Sequence, residues 1–94
     1  MEIEEIQDKI RKIIVEQVVL GGRMTAADIP AEKPLFEAAD GGGLGFDSVE
    51  ALELIVGIER GFGVKVPEGP EVKERFYSVK TLADYVRELK GGGS

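Results

Sequence analysis

The 94-residue sequence predicts an all-α fold: a small antiparallel four-helix bundle of three long helices and one short one, with a long loop between the first two. Three observations lead there. Apolar residues recur at helical spacing in three separate stretches, and no stretch alternates apolar with polar residues as a half-buried strand does. There is also no cysteine to staple a loop-rich fold. A chain of this length can bury one modest core unaided, so a single domain over residues 1–90 is expected. Gly91-Gly92-Gly93-Ser94 read as a flexible tail or appended linker.

In the first stretch, Ile3, Ile6, Ile10, Ile13, Ile14 and Val18 share a face, with Glu4, Glu5, Asp8, Lys9, Arg11, Lys12 and Glu16 between them. Its polar face mixes both signs of charge, which suits a core-facing helix better than a membrane-surface one. It is expected to end near Leu20, where Gly21-Gly22 would stop it. Residues 21–46 show no sustained period. Thr25-Ala26-Ala27-Asp28 fits a helical turn capped by Thr25, and Pro34 to Ala39 another. Ile29, standing before Pro30, is biased towards extended backbone. Leu35 and Phe36 are expected to pin the loop to the core.

The second helix should start at Asp47 or Ser48 and end near Gly61, burying Ala51, Leu54, Ile55, Ile58 and Phe62. Gly57 inside it costs up to about 1 kcal/mol relative to alanine, and close packing is the only reason the sequence offers. Val64 and Val66 lead to Pro67. Pro70 to about Phe76 reads as the short third helix. Ser78 caps the fourth, whose inward positions are Val79, Leu82, Ala83, Val86 and Leu89.

Composition excludes several functions. The net charge of −6 and pI near 4.7 argue against nucleic acid and anionic membranes, and favour partners with basic docking surfaces. The absence of histidine removes the usual general base and any Ser-His-Asp triad. No metal site is expected, and Ser48 has no partner for hydrolase chemistry. No apolar run approaches the roughly 20 residues that span a bilayer. The acidic start and spaced apolar residues of Met1 to Ile14 do not suit a secretory signal, so a cytoplasmic monomer is expected.

Chemistry concentrates at Asp47-Ser48. Either residue suits a helix cap; if Asp47 caps, Ser48 falls in the first turn with a free hydroxyl beside the positive end of the helix dipole. The preceding Gly41-Gly42-Gly43-Leu44-Gly45 is a weak candidate for a phosphate cradle, because no strand precedes it and no Lys-Ser or Lys-Thr follows. Flexible backbone giving access to Ser48 is the better account.

Leu35-Phe36, LGFDSVEALEL from Leu44 to Leu54, GFGVKVPE from Gly61 to Glu68 and SVKTLADYV from Ser78 to Val86 occur in an order that resembles the acyl carrier protein family. The resemblance runs from Ile3 to Leu89. It implies a carrier and not an enzyme. A phosphopantetheinyl transferase would move 4′-phosphopantetheine from coenzyme A to Ser48, and the arm's thiol would hold acyl groups as thioesters. Asp47 would help the transferase organise its magnesium ion. Glu50, Glu53 and Glu59 would meet basic residues on the transferase and on acyl-loading, acyl-elongating or acyl-transferring enzymes. A solvated face is the plainer reading of any single glutamate, and Glu53 and Glu59 are stronger docking candidates than Glu50. Val49 and Val56 fall where the family exposes apolar side chains beside the arm, and core burial is equally open to both.

Two features depart from the family pattern. Arg60 reverses the charge at a position that is acidic in many carriers. Asp40-Gly41-Gly42-Gly43 lengthens the approach to the motif. Both point to a specialised lipid or polyketide-type pathway rather than bulk fatty-acid synthesis. The nearest alternative is an aminoacyl or peptidyl carrier, against which stands Phe46-Asp47 in place of the histidine common there. An unmodified helical adaptor is the alternative from another class.

Overall fold

A computed structural model describes residues 2–18, 25–36, 43–67 and 69–91, with positions 48, 71 and 73 described by backbone alone. Helices α1 (Ile3–Ile13), α2 (Ser48–Phe62), α3 (Glu71–Arg75) and α4 (Val79–Gly91) carry the fold, together with a π-helical segment, Ile14–Val18, and a 3₁₀ turn, Ala26–Asp28. No described residue lies in a strand; two isolated bridges, Pro34 to Ser78 and Phe36 to Phe46, are the nearest approach. α1 packs against α4 and α2, and α3 lies on α4. Among the described residues, no helix is long and apolar enough to cross a membrane.

Acidic residues open α1 and basic ones close it, matching the helix dipole, while Ile6, Ile10 and Ile13 enter the core. The single α-helix expected to reach Leu20 is not formed. Regular α geometry ends at Ile13, and the wider π turn carries on with Ile14 and Val18 buried. The apolar spacing 10, 13, 14, 18 is compatible with either geometry, so periodicity alone could not separate them. Leu20, Gly21 and Gly22 lie outside the described residues.

The α1–α2 contact explains Gly57. A Cβ there would stand 2.5 Å from Ile13 Cγ2 and 3.1 Å from Gln17 Oε1, so only glycine lets the two helices approach this closely. Gly61, one turn on, meets the far end of the same isoleucine, with Cδ1 2.8 Å from a built Cβ, and Lys9 Cε at 3.9 Å. Beyond it, Gly63 takes the left-handed conformation at φ 68° that ends α2, and its N–H donates to Glu59 O. Glu59 Oε2 then accepts from the Val66 N–H at 2.9 Å, folding the chain back so that Val66 is buried. Lys90 Nζ donates to Phe62 O at 3.2 Å, satisfying a helix-end carbonyl from α4.

The long connection holds one expected turn and lacks another. Thr25 precedes the Ala26–Asp28 turn, and Asp28 Oδ2 accepts from the Thr25 N–H at 2.9 Å and its hydroxyl at 3.1 Å. Those two donors, the backbone first, hold the Asp28 carboxyl below its usual range. Ile29, at φ −120° and ψ 80°, avoids helical backbone as its proline neighbour demands, and is buried. Pro34 to Phe36, expected to begin a helical turn, are bridged instead. Leu35 N–H donates to Tyr77 O at 2.8 Å and Leu35 O accepts from the Phe46 N–H at 3.1 Å. Those tertiary partners, with full burial of the Leu35 side chain, outweigh the local helix signal of Pro34. Phe36 is half-buried against the core, and Glu37, Ala38 and Ala39 lie outside the described residues.

At the other end, Ser78 N–H donates to Thr81 Oγ1 at 3.0 Å and Thr81 N–H to Ser78 Oγ at 3.3 Å, a reciprocal cap that opens α4. Val79, Leu82, Ala83 and Val86 are buried as expected, Leu89 partly, and Tyr85 joins them. Tyr85 meets Phe76 edge-on, with Arg75 above its ring and paired to Glu88. Gly91, read from sequence as the start of the tail, is instead the last residue of α4.

Stability outcomes follow from Gly57, Glu59 and Gly61 of α2. Gly57→Ala should destabilise by about 1–2 kcal/mol in urea melts, because overpacking against the stiff β-branched Ile13 exceeds the roughly 1 kcal/mol gained in helix propensity. Gly61→Ala should be neutral or stabilising, and a stabilised Gly57→Ala would overturn the close-approach account. Glu59→Met removes the Val66 acceptor while keeping helix propensity, and should cost about 1–2 kcal/mol. Glu59→Gln retains an acceptor and should stay within about 0.5 kcal/mol in the same melts.

Candidate functional site

Position 48 is the first residue of α2 because Asp47, not the serine, is the cap. Asp47 keeps extended backbone at φ −97° and ψ −173°. Its Oδ1 accepts from the Glu50 N–H at 2.9 Å, and Glu50 Oε1 accepts from the Asp47 N–H at 3.1 Å. This reciprocal box satisfies two backbone donors at the helix start and leaves capping to residue 47 alone. The orientation of the Ser48 hydroxyl lies outside what is described.

The approach to the helix is held from beneath. Phe46 is buried and meets Phe36 edge-to-face, with ring centroids 6.4 Å apart at 89°. Leu44 N–H donates to Pro34 O at 2.9 Å. Between these anchors Gly45 adopts φ 78°, a conformation that disfavours any side chain. The chain thus dips into the core at Phe46 and returns to the surface at Asp47. Asp40, Gly41 and Gly42 lie outside the described residues.

A covalently attached phosphodiester needs an accessible position with partial positive charge nearby. Position 48 sits between exposed Asp47 and exposed Val49, at the N-terminus of a 15-residue helix whose dipole favours an anion. The residues present fit such a group. Among the described residues no cluster of three His, Cys, Asp or Glu side chains could hold a resident metal.

The candidate docking residues divide by role. Val49 and Val56 are 62% and 43% exposed, which decides between core and surface for both. Glu53 and Arg60 are exposed. Glu50 is half-buried and belongs to the capping box. Glu59 is half-buried and holds the turn after α2, so its carboxylate already has a structural task. Leu52, 63% exposed, joins Val49 and Val56 in one stripe; it was not among the residues expected there, although its spacing of three from Val49 and four from Val56 carries the signal.

A family model described as a phosphopantetheine attachment site matches residues 23–87, well over half of the chain. The match takes in nearly all of the long connection, the whole of α2 and α3, and most of α4. Domains of this kind carry 4′-phosphopantetheine covalently, act as carriers rather than catalysts, and engage phosphopantetheinyl transferases and acyl-handling enzymes. With that match covering most of its length, this chain belongs to the phosphopantetheine attachment site family.

Proposed function

We propose that Ser48 is the attachment residue and that the protein is an acyl carrier serving fatty-acid or related specialised lipid or polyketide-type biosynthesis. The observation that carries this reading is the Asp47 cap, which puts a serine first in α2 between two exposed neighbours. When bound, the arm supplies the thiol on which acyl groups ride as thioesters. The protein itself provides the position, the helix dipole and the docking face. Phe46-Asp47 before the serine supports an acyl cargo over an aminoacyl or peptidyl one. Asp47, exposed and beside position 48, is suited to recognition by the transferase and its magnesium ion. Arg60, in the last turn of α2, supports service to a dedicated enzyme set.

Incubation with coenzyme A and a broad-specificity phosphopantetheinyl transferase tests the attachment. Intact mass should rise by one arm in the wild type and not at all in Ser48→Ala. Because Asp47 caps the helix, that substitution should change stability by less than about 0.5 kcal/mol. Modification of the variant at another residue would overturn the assignment. An unmodified adaptor would remain at its apo mass throughout.

Docking rests on Glu53 together with Val49, Leu52 and Val56, which present an acid beside an apolar stripe to partners with basic surfaces. Glu53→Lys should slow association with the transferase, most visibly at low salt, while helicity is unchanged. The equilibrium effect of one exposed pair is at most about 1 kcal/mol. Association rates indifferent to this reversal across ionic strength would remove Glu53 from the docking face.

A further inference from the structure

The backbone at position 48 is fixed through its neighbours. Upstream, the Phe46 N–H donates to Leu35 O at 3.1 Å, and the Phe46 ring is buried. Downstream, the Ala51 N–H donates to Asp47 O at 2.9 Å, the first turn of α2. Asp47 itself has an exposed side chain on extended backbone, so hydrogen bonds and not packing hold it in place. Two of these involve Glu50. The Glu50 N–H donates to Asp47 Oδ1 at 2.9 Å, and Glu50 Oε1 accepts from the Asp47 N–H at 3.1 Å. The first uses only the backbone of residue 50, and the second depends on its side chain. Glu50 is also half-buried where Glu53 is exposed, so the two acids are placed for different tasks.

Resting on the reading that Ser48 is the attachment residue, we propose that Glu50 is a positioning residue for arm transfer, acting through the Asp47 N–H rather than through its charge. In that transfer the Ser48 hydroxyl oxygen bonds to the phosphorus of coenzyme A that carries the pantetheine. The bond from that phosphorus to the bridging oxygen breaks and 3′,5′-adenosine diphosphate leaves. The hydroxyl proton passes to water or to a base of the transferase. Rates of such displacements fall steeply with misplacement of the nucleophile, by on the order of a hundredfold for about 1 Å. Helix ends fray, and a serine in the first turn moves with them. The Glu50 carboxylate suppresses that motion by holding the Asp47 N–H. A carboxamide oxygen accepts the same bond, and glutamine serves this box as glutamate does. A charge that met a basic partner would behave otherwise: glutamine could not replace it, and salt would screen it.

Glu50→Ala and Glu50→Gln separate the two roles. Intact mass and fragmentation first establish that the arm is on Ser48 of the wild type; an arm that is absent or elsewhere overturns the functional reading and this proposal with it. Single-turnover transfer from coenzyme A is then measured under saturating broad-specificity transferase, at low and high salt, on proteins shown by circular dichroism to be fully folded. A loss of global stability therefore does not itself slow transfer. Relative to wild type, Glu50→Ala should be roughly three- to tenfold slower at both salt concentrations. Glu50→Gln should return to within about twofold. Without transferase, exchange of the Asp47 amide proton should quicken several-fold in Glu50→Ala and not in Glu50→Gln. A glutamine variant as slow as the alanine variant, or a loss that vanishes at high salt, makes Glu50 a docking charge; it overturns the proposal and leaves the carrier reading standing. Transfer or Asp47 exchange unchanged by Glu50→Ala overturns it equally.

Discussion

The backbone of Leu35 is the constraint through which the long connection, the start of α2 and the start of α4 are held together. Its N–H donates to Tyr77 O and its carbonyl accepts from the Phe46 N–H, while its side chain is fully buried. A connection with little regular structure must still satisfy whatever backbone it buries. Here the partners come from the α3–α4 junction on one side and the approach to position 48 on the other. Lys80 N–H to Ala31 O and Arg11 Nε to Ile29 O extend the same anchoring to α4 and α1. The approach to position 48 is therefore tied by hydrogen bonds to the segment before α4, and the connection behind it to α1 and α4.

α2 serves two surfaces at once, and its small residues make that possible. One side buries Leu54, Ile58 and Phe62 and takes α1 against Gly57. The other presents Val49, Leu52 and Val56 to solvent. A bulkier residue at 57 would push α1 away and shift Gln17, altering the surface as well as the packing. The acidic residues are divided in the same manner. Glu50 closes the helix start, Glu59 closes the turn after its end, and Glu53 stands exposed between them. An acidic helix is therefore not a uniform docking face: two of its carboxylates shape the element that presents the third.

Much of this was legible in the sequence because it depends on local pattern. Spacing by three and four revealed α1, α2 and α4, and Pro70 to Phe76 revealed the short α3. Thr25 and Asp28 marked their turn, and the pair Asp47-Ser48 marked the start of α2. Each of these signals lies within a few residues of what it specifies. The candidate attachment position was legible for the same reason, since an aspartate able to cap the helix leaves the next serine in its first turn.

Tertiary structure decided what pattern could not reach. The sequence offers Pro34 to Phe36 as a helical turn, but their hydrogen-bond partners lie at residues 44, 46 and 77, beyond any local rule. It shows Gly57 without its reason, because the reason is an isoleucine on another helix. The change from α to π geometry after Ile13 is hidden by a spacing that both accommodate. Val49 and Val56 read equally as core or surface until the packing of α2 against its neighbours exposed them, with Leu52, on the side opposite the core. Charge and periodicity along the chain determine which helices form and where a serine begins one. Contacts between residues far apart in sequence determine which faces those helices keep for one another and which they leave to solvent.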